Sequence, residues 1–440
     1  MEERMAIHKI GAADRNFYYT STGEKDSFSL YIRLSLDTKI ETGLLYKALE
    51  KTAGLFRSFK MRPVIKDEIL YYEDNDAPFP VFEEESHGPR YLGTSDTNGY
   101  LYRISCHENT MELCLFHGMA DGLGFDYFIA TLLDHYFVLA DPDYAAKHTE
   151  RIPDLFRLQD LEDPYAEFAS KEKQEAQDIP AGKMAKVFTI PGEDSEGETP
   201  KCRYFGIDIK TEELLRAAKR CASSPLPFMT AVIGEAVCRV YGLNGEELVA
   251  LTPANLRTVF GVNVCRNFAR SFTIPYNEEI NCLPFEERCA ELRRVMKEAT
   301  RPEIFSGILQ KQVENAEIME NNSLPLLQRA GKMQRDYING SKYFFSYVLT
   351  YIGRSILPEY IEKRVLDRKT MANNPPVCPW GVLGFPHHDE VHFVFSQFMK
   401  DTRLTEEVSR ILNEKGVHAE VRDLGVLTTD RLVLDKIARV

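Results

Sequence analysis

The segment from Phe28 to Leu36 alternates apolar and polar residues, with Phe28, Leu30, Ile32, Leu34 and Leu36 on one face, and this period of two predicts a half-buried strand. A helix should follow, because Leu44, Leu45, Ala48, Leu49, Ala53, Leu55 and Phe56 keep helical spacing, with Asp37 or Thr38 placed to begin the turn into it. The stretch from Val64 to Tyr72 returns to extended character. Tyr100 to Cys106 and Met111 to His117, broken by His107-Glu108-Asn109-Thr110, read as a β-hairpin in which Met111, Leu113, Leu115 and His117 share a face. Glycines at 118, 122 and 124 then interrupt the pattern, and Phe125, Phe128, Ile129, Leu132, Leu133, Tyr136 and Phe137 form an apolar stripe at helical spacing. His117 therefore closes a strand, and a Gly-rich turn delivers the chain into a helix.

From about residue 141 to 200 the pattern lapses into charge and prolines (142, 153, 164, 180, 191 and 200), which reads as a crossover between two halves. Strand and helix signals then resume: strand 203–209, helices 211–221 and 228–241, strand 248–252, helix 285–299 with Pro284 before it, and a less regular helical region to about 335. Strands 343–350, 382–385 and 391–395, a helix at 405–415 and a short tail complete the chain. The second half repeats the mixture of the first without an internal sequence repeat.

The chain has 440 residues, more than one hydrophobic core usually serves, so two domains with a cleft between them are expected: 1–165 and 185–440, joined by a linker at 166–184. A formal charge of -13 without a block of Lys and Arg argues against nucleic acid as a partner. No apolar run reaches the length of a membrane span, and the charged start Met1-Glu2-Glu3-Arg4-Met5 lacks the apolar core of a signal peptide. Nine cysteines without a C-x-x-C pair read as reduced thiols, so a cytoplasmic location is expected.

Candidate chemistry centres on His117, with three readings: a structural histidine at a strand end, a metal ligand together with Asp121, or a general base. Ligands four residues apart need a helix between them, and Gly118 and Gly122 argue against one. A neutral imidazole can accept a proton near pH 7, because its ordinary pKa is about 6.5. The segment Pro386-His387-His388-Asp389-Glu390-Val391-His392 is rich in metal-ligand types, but extended chain would separate His388 from His392 by roughly 13 Å. It reads as a hairpin turn, with metal as the alternative; no metal site is expected. P-loop, dinucleotide-binding and nucleophile-elbow signatures are absent from the sequence.

His117, Asp121 and Gly122 match the H-x-x-x-D-G core of a superfamily, and the chain resembles its chloramphenicol acetyltransferases, condensation domains, BAHD acyltransferases and, most of all, alcohol acetyltransferase-like proteins. Phe116 replaces the first histidine of the condensation-domain form. Pro253-Ala254-Asn255-Leu256-Arg257, then Gly261 and Asn267-Phe268, look like the N-L-R and G-N regions of alcohol acetyltransferase-like members; Thr350-Tyr351-Ile352-Gly353 sits where many carry S-N-x-G. The D-F-G-W-G signature of the BAHD type is missing.

The resemblance implies an α/β fold (an α+β sandwich) of two chloramphenicol acetyltransferase-like domains with an interdomain channel. It implies acyl transfer from a CoA or carrier-protein thioester to an alcohol or amine, with His117 as base and no tightly bound cofactor. A small-molecule acceptor and an acyl or peptidyl carrier protein are the expected partners; cofactor-binding residues are not identified. It also implies a salt bridge from Asp121 to Arg257, whose alternative is an N-cap for the helix beginning near Leu123. Thr350 is a candidate oxyanion donor by resemblance and a packing residue by strand pattern. Gly122 and Gly124 are expected to permit the turn and close approach of the backbone to substrate. A non-catalytic module that keeps the scaffold is the rival reading.

Overall fold

The computed structural model describes residues 7–21, 28–85, 88–147, 163–169, 186–192, 202–341, 344–372, 378–427 and 430–440. Most of the segment read as a crossover lies outside them. Fifteen strands among the described residues build three sheets. The smallest has three strands, β1 (Ile7–Lys9), β3 (Met61–Lys66) and β4 (Ile69–Asp74), with β4 in the middle. A five-stranded sheet contains β2 (Ser29–Leu36), β5 (Val81–Glu83), β6 (Tyr102–His107), β7 (Thr110–Phe116) and β12 (Val365–Ala372), ordered β12-β2-β7-β6-β5.

The largest sheet has seven strands: β8 (Arg203–Lys210), β9 (Leu248–Asn255), β10 (Ala269–Tyr276), β11 (Tyr347–Tyr351), β13 (Trp380–His387), β14 (Glu390–Gln397) and β15 (Arg422–Val426). Their order is β10-β9-β11-β13-β14-β8-β15, with β11 parallel to both of its neighbours. One face carries Tyr347, Leu349, Phe393 and Phe395 into a core with Leu214, Val232, Leu292 and Ile411 from the flanking helices. The opposite face carries Tyr204, Leu383 and Val394 against Tyr31 of β2 and Met371 of β12. Two sheets thus meet face to face, with helices behind the larger one, which is the expected α/β sandwich.

The sequence-predicted hairpin is β6 with β7, and the helix after the Gly-rich turn runs Gly122–Ala140. Among the described residues this helix is long and apolar enough to cross a membrane, but 72% of its most apolar window is buried inside the fold. Buried side chains around its whole circumference suit a core helix. The helix after β2 is Thr42–Leu55; the chain bends at Asp37 and Thr38, and the N-cap is Glu41, without a side-chain cap.

Sheet membership does not follow chain order. Strand β12, late in the chain, pairs antiparallel with β2 from Leu36↔Val365 to Leu30↔Ala372. The last residues return as well: Leu92 donates to the Arg431 carbonyl at 2.7 Å, Ile65 to that of Ala438 at 2.8 Å, and Arg103 pairs with Asp430 in the interior. All nine cysteines are free thiols, and seven are buried.

Candidate active site

Strand β7 occupies the centre of its sheet, and His117 is the first residue beyond it. The His117 amide donates to the Phe28 carbonyl at 2.8 Å, so the ladder extends one step past the strand and fixes the histidine's backbone. Its ring stacks on Phe17, with centroids 4.8 Å apart and planes 11° from parallel. Gly118 leaves room for this stack, because a Cβ there would collide with the Phe116 ring and lie 3.0 Å from Phe17. The residue keeps partial exposure, yet Nδ1 is buried without a hydrogen-bond partner among the described residues. Burial lowers the imidazole pKa below its ordinary value, against the opposing pull of its own carbonyl and of Asp121. The ring is therefore neutral at pH 7.

Asp121 fills both roles that the sequence left open. Oδ1 accepts from the Gly124 amide at 2.8 Å and caps helix Gly122–Ala140; Oδ2 accepts from Arg257 Nη1 at 2.7 Å and from the Phe268 amide at 2.8 Å. Both members of the ion pair are buried. Burial alone would lower the Arg257 pKa, but the charge and hydrogen bond of Asp121 hold it above the ordinary value. The two remaining guanidinium nitrogens bind carbonyls of Val264 and Arg266, each at 2.6 Å.

Arg257 arrives through the hairpin of β9 and β10, whose register closes with Asn255 opposite Ala269. Between those strands, residues 256–268 clamp the histidine turn at four points. Besides the Asp121 contacts, Asn267 Nδ2 donates to the His117 carbonyl at 3.1 Å, and Cys265 Sγ lies 3.3 Å from the Gly124 carbonyl. A Cβ at Gly124 would overlap the Cys265 carbonyl oxygen, so this glycine permits the clamp.

Gly122 does not use the conformational freedom that a glycine offers a turn. Neither it nor Gly124 adopts positive φ, and a Cβ at 122 would meet nothing closer than Ile352 Cδ1 at 3.8 Å. The close approach in the turn belongs to Gly118 and Gly124, with protein neighbours at both.

Thr350 lies on β11 and lines a narrow crevice of about 30 Å³ between the two large sheets, with Tyr204, Ala372, Leu383 and Ser396 among its walls. His117 is not one of the lining residues. The link between them is Ile352, which joins the apolar cluster beside the crevice and also reaches Gly122.

Two buried ion pairs beside the site were not singled out from sequence. Arg368 of β12 donates to Asp126 of helix Gly122–Ala140 at 2.6 Å, and Arg266 pairs with Asp14. Burial pushes the Asp126 carboxyl upward, opposed by Arg368. A charged residue in a strand or apolar helix gives no sign that its partner lies hundreds of positions away.

The fold is shared by condensation and epimerization domains and by an acetyltransferase of solved structure. The chain superimposes on TRI3 trichothecene 15-O-acetyltransferase from Fusarium sporotrichioides with a TM-score of 0.63 at 10% identity, covering 94% of this chain and 95% of that one. The epimerization domain from the third module of tyrocidine synthetase B gives 0.63 at 11% identity, covering 93% and 95%. Polyketide synthase associated protein 5 from Mycobacterium tuberculosis gives 0.58 at 12% identity, covering 93% and 98%. No protein-family model and no curated protein matches the sequence.

Proposed function

We propose that this protein is an acyltransferase that moves an acyl group from a CoA or carrier-protein thioester to an alcohol or amine, with His117 as general base. The observation that carries the reading is a neutral, partly exposed imidazole at the end of a central strand, its backbone held by Phe28 and Asn267 and its turn tied by the Asp121–Arg257 pair. Such positioning supplies a proton acceptor without an acyl-enzyme. Support also comes from the fold, which the TRI3 acetyltransferase and condensation domains share.

In the reaction, an imidazole nitrogen takes the proton from the acceptor O–H or N–H as that atom attacks the thioester carbonyl carbon. The resulting oxyanion collapses, the C–S bond breaks, and the imidazolium returns its proton to the leaving thiolate. Asp121 and Arg257 position the turn and do not exchange protons with substrate. Thr350 is the candidate donor to the oxyanion: two residues of extended chain, about 7 Å, separate it from Ile352 beside Gly122.

The test is turnover of a panel of acyl-CoA and acyl-carrier thioesters with alcohol and amine acceptors, by wild type and by His117→Ala. Transfer in wild type and loss in a folded variant supports the reading; equal turnover in both removes the base assignment. No transfer with any donor, together with tight binding of a carrier domain, points instead to a non-catalytic module.

A further inference from the structure

Strand β13 ends on His387, and β14 begins at Glu390, so His388 and Asp389 form the turn of a hairpin. Consecutive side chains on a strand point to opposite faces. Here His388 takes φ 52°, a left-handed backbone, and the two imidazole centroids stand 4.0 Å apart. Across from them lies Glu362, at the end of helix Glu359–Glu362. Its Oε1 accepts from the His388 amide at 3.0 Å and is 3.8 Å from His387 Nδ1.

His387 is only 4% exposed, and both of its ring nitrogens are buried without a hydrogen-bond partner among the described residues. An imidazole carries either an N–H or a lone pair at each nitrogen, so burying both unpaired is destabilising unless something takes them up. His388 Nε2 lies 2.9 Å from the Val365 carbonyl. Donation there fixes the ring and leaves the lone pair on Nδ1, the arrangement common for a histidine that binds a metal.

We propose that Glu362, His387 and His388 bind a divalent cation of the zinc class, tying the tip of the β13–β14 hairpin to helix Glu359–Glu362 and leaving a fourth position open. One donor atom from each residue lies within 4.8 Å of the others. Two imidazoles and one carboxylate form a donor set suited to Zn²⁺. Tetrahedral bonds of about 2.0–2.1 Å place donors roughly 3.3 Å apart, so small side-chain rotations close the site.

Charge balance separates this triad from a neighbouring one, Asp208, Glu390 and His392. There Arg422 already pairs with Asp208, and Lys210 with Glu390 at 2.9 Å. No Lys or Arg pairs with Glu362 among the described residues, and the nearby Arg368 is engaged by Asp126. The site shares no residue with the His117 turn, and its fate is independent of the acyltransfer reading.

The experiment strips the full chain with a chelator, titrates it with Zn²⁺ alone by calorimetry, and follows thermal unfolding with and without the ion. We expect one tight equivalent and a raised Tm. Glu362→Gln retains an acceptor for the His388 amide, and His388→Asn retains a residue tolerant of left-handed backbone, so both should fold. Each should weaken binding by more than an order of magnitude and abolish the Tm gain, while His392→Gln leaves both intact. Absence of a tight equivalent, binding that survives Glu362→Gln and His388→Asn, or loss that follows His392→Gln instead, overturns the proposal.

Discussion

His117 is a partly exposed residue whose imidazole is held among buried groups, and this burial sets how its chemistry should respond to pH. A base works in its neutral form, so a pKa lowered by burial extends activity to lower pH. The acid limb of kcat/KM should therefore have its midpoint below about 6.5, the value for an unperturbed histidine; a midpoint above it contradicts the assignment. The same shift acts on stability. Protonation is disfavoured in the folded state, so the contribution of neutral His117 is present above pH 6.5 and declines as pH falls through it. Replacing His117 with Ala should lower turnover by about 10²–10⁴-fold while the chain still unfolds cooperatively, its Tm reduced only by the lost stack on Phe17, because the buried Nδ1 has no side-chain partner to strand. Asp121→Asn should behave differently: it can still cap the helix but leaves Arg257 buried without its counter-charge, at a cost of about 3–5 kcal/mol in urea unfolding. The motif residues were legible because His117, Asp121 and Arg257 each sit in a recognisable local pattern. Asp14, Asp126 and Arg368 were not, since their meaning depends on partners far away in sequence.

At the scale of elements, the turn and its clamp make a contrast between two glycines. Gly124→Ala drives a methyl into the Cys265 carbonyl and must displace loop 256–268, so it should destabilise by about 1–3 kcal/mol and reduce activity through Asn267 and Arg257. Gly122→Ala has space and an ordinary backbone, and thermal unfolding should show it near neutral. The reverse ranking would mean that the clamp does not depend on close approach. Most elements were visible in the hydrophobic pattern, including the β6–β7 hairpin and the helix that follows. Strand β12 was not, because its inward Arg368 is matched to Asp126 and the segment lacks apolar alternation. Strand β10 carries Pro275, which weakens a strand signal; its place at the sheet edge explains how the proline is tolerated. Helix Thr42–Leu55 was found, but its N-cap Glu41 was not, as a cap without a side-chain hydrogen bond leaves no compositional mark.

For the whole molecule, the two ends of the chain are bound into one structure. Leu432, Leu434 and Ile437 are buried in the same core as β2 and β7, and Asp430 neutralises Arg103 there. A chain ending before Asp430 should lose several kcal/mol, since an unpaired buried guanidinium alone costs about 3–5 kcal/mol; limited proteolysis and thermal unfolding should both report it. A charge-preserving Asp430→Glu should retain more stability than Asp430→Ala. The sandwich was expected from the family resemblance, with which the mixture of strand and helix signals was compatible, whereas the exchange of β12 into the first sheet was not, because periodicity says nothing about which edge a strand will join. That exchange also imposes an order on biosynthesis. Strand β2 leaves the ribosome early and its partner very late, so at roughly 5–20 residues per second its outer edge stays bare for tens of seconds. Ser29–Leu36 contains a single charge, Arg33, to discourage pairing with another nascent chain. The interval before β12 emerges is thus when this protein is most exposed to aggregation, and when a chaperone that shields strand edges would raise its yield.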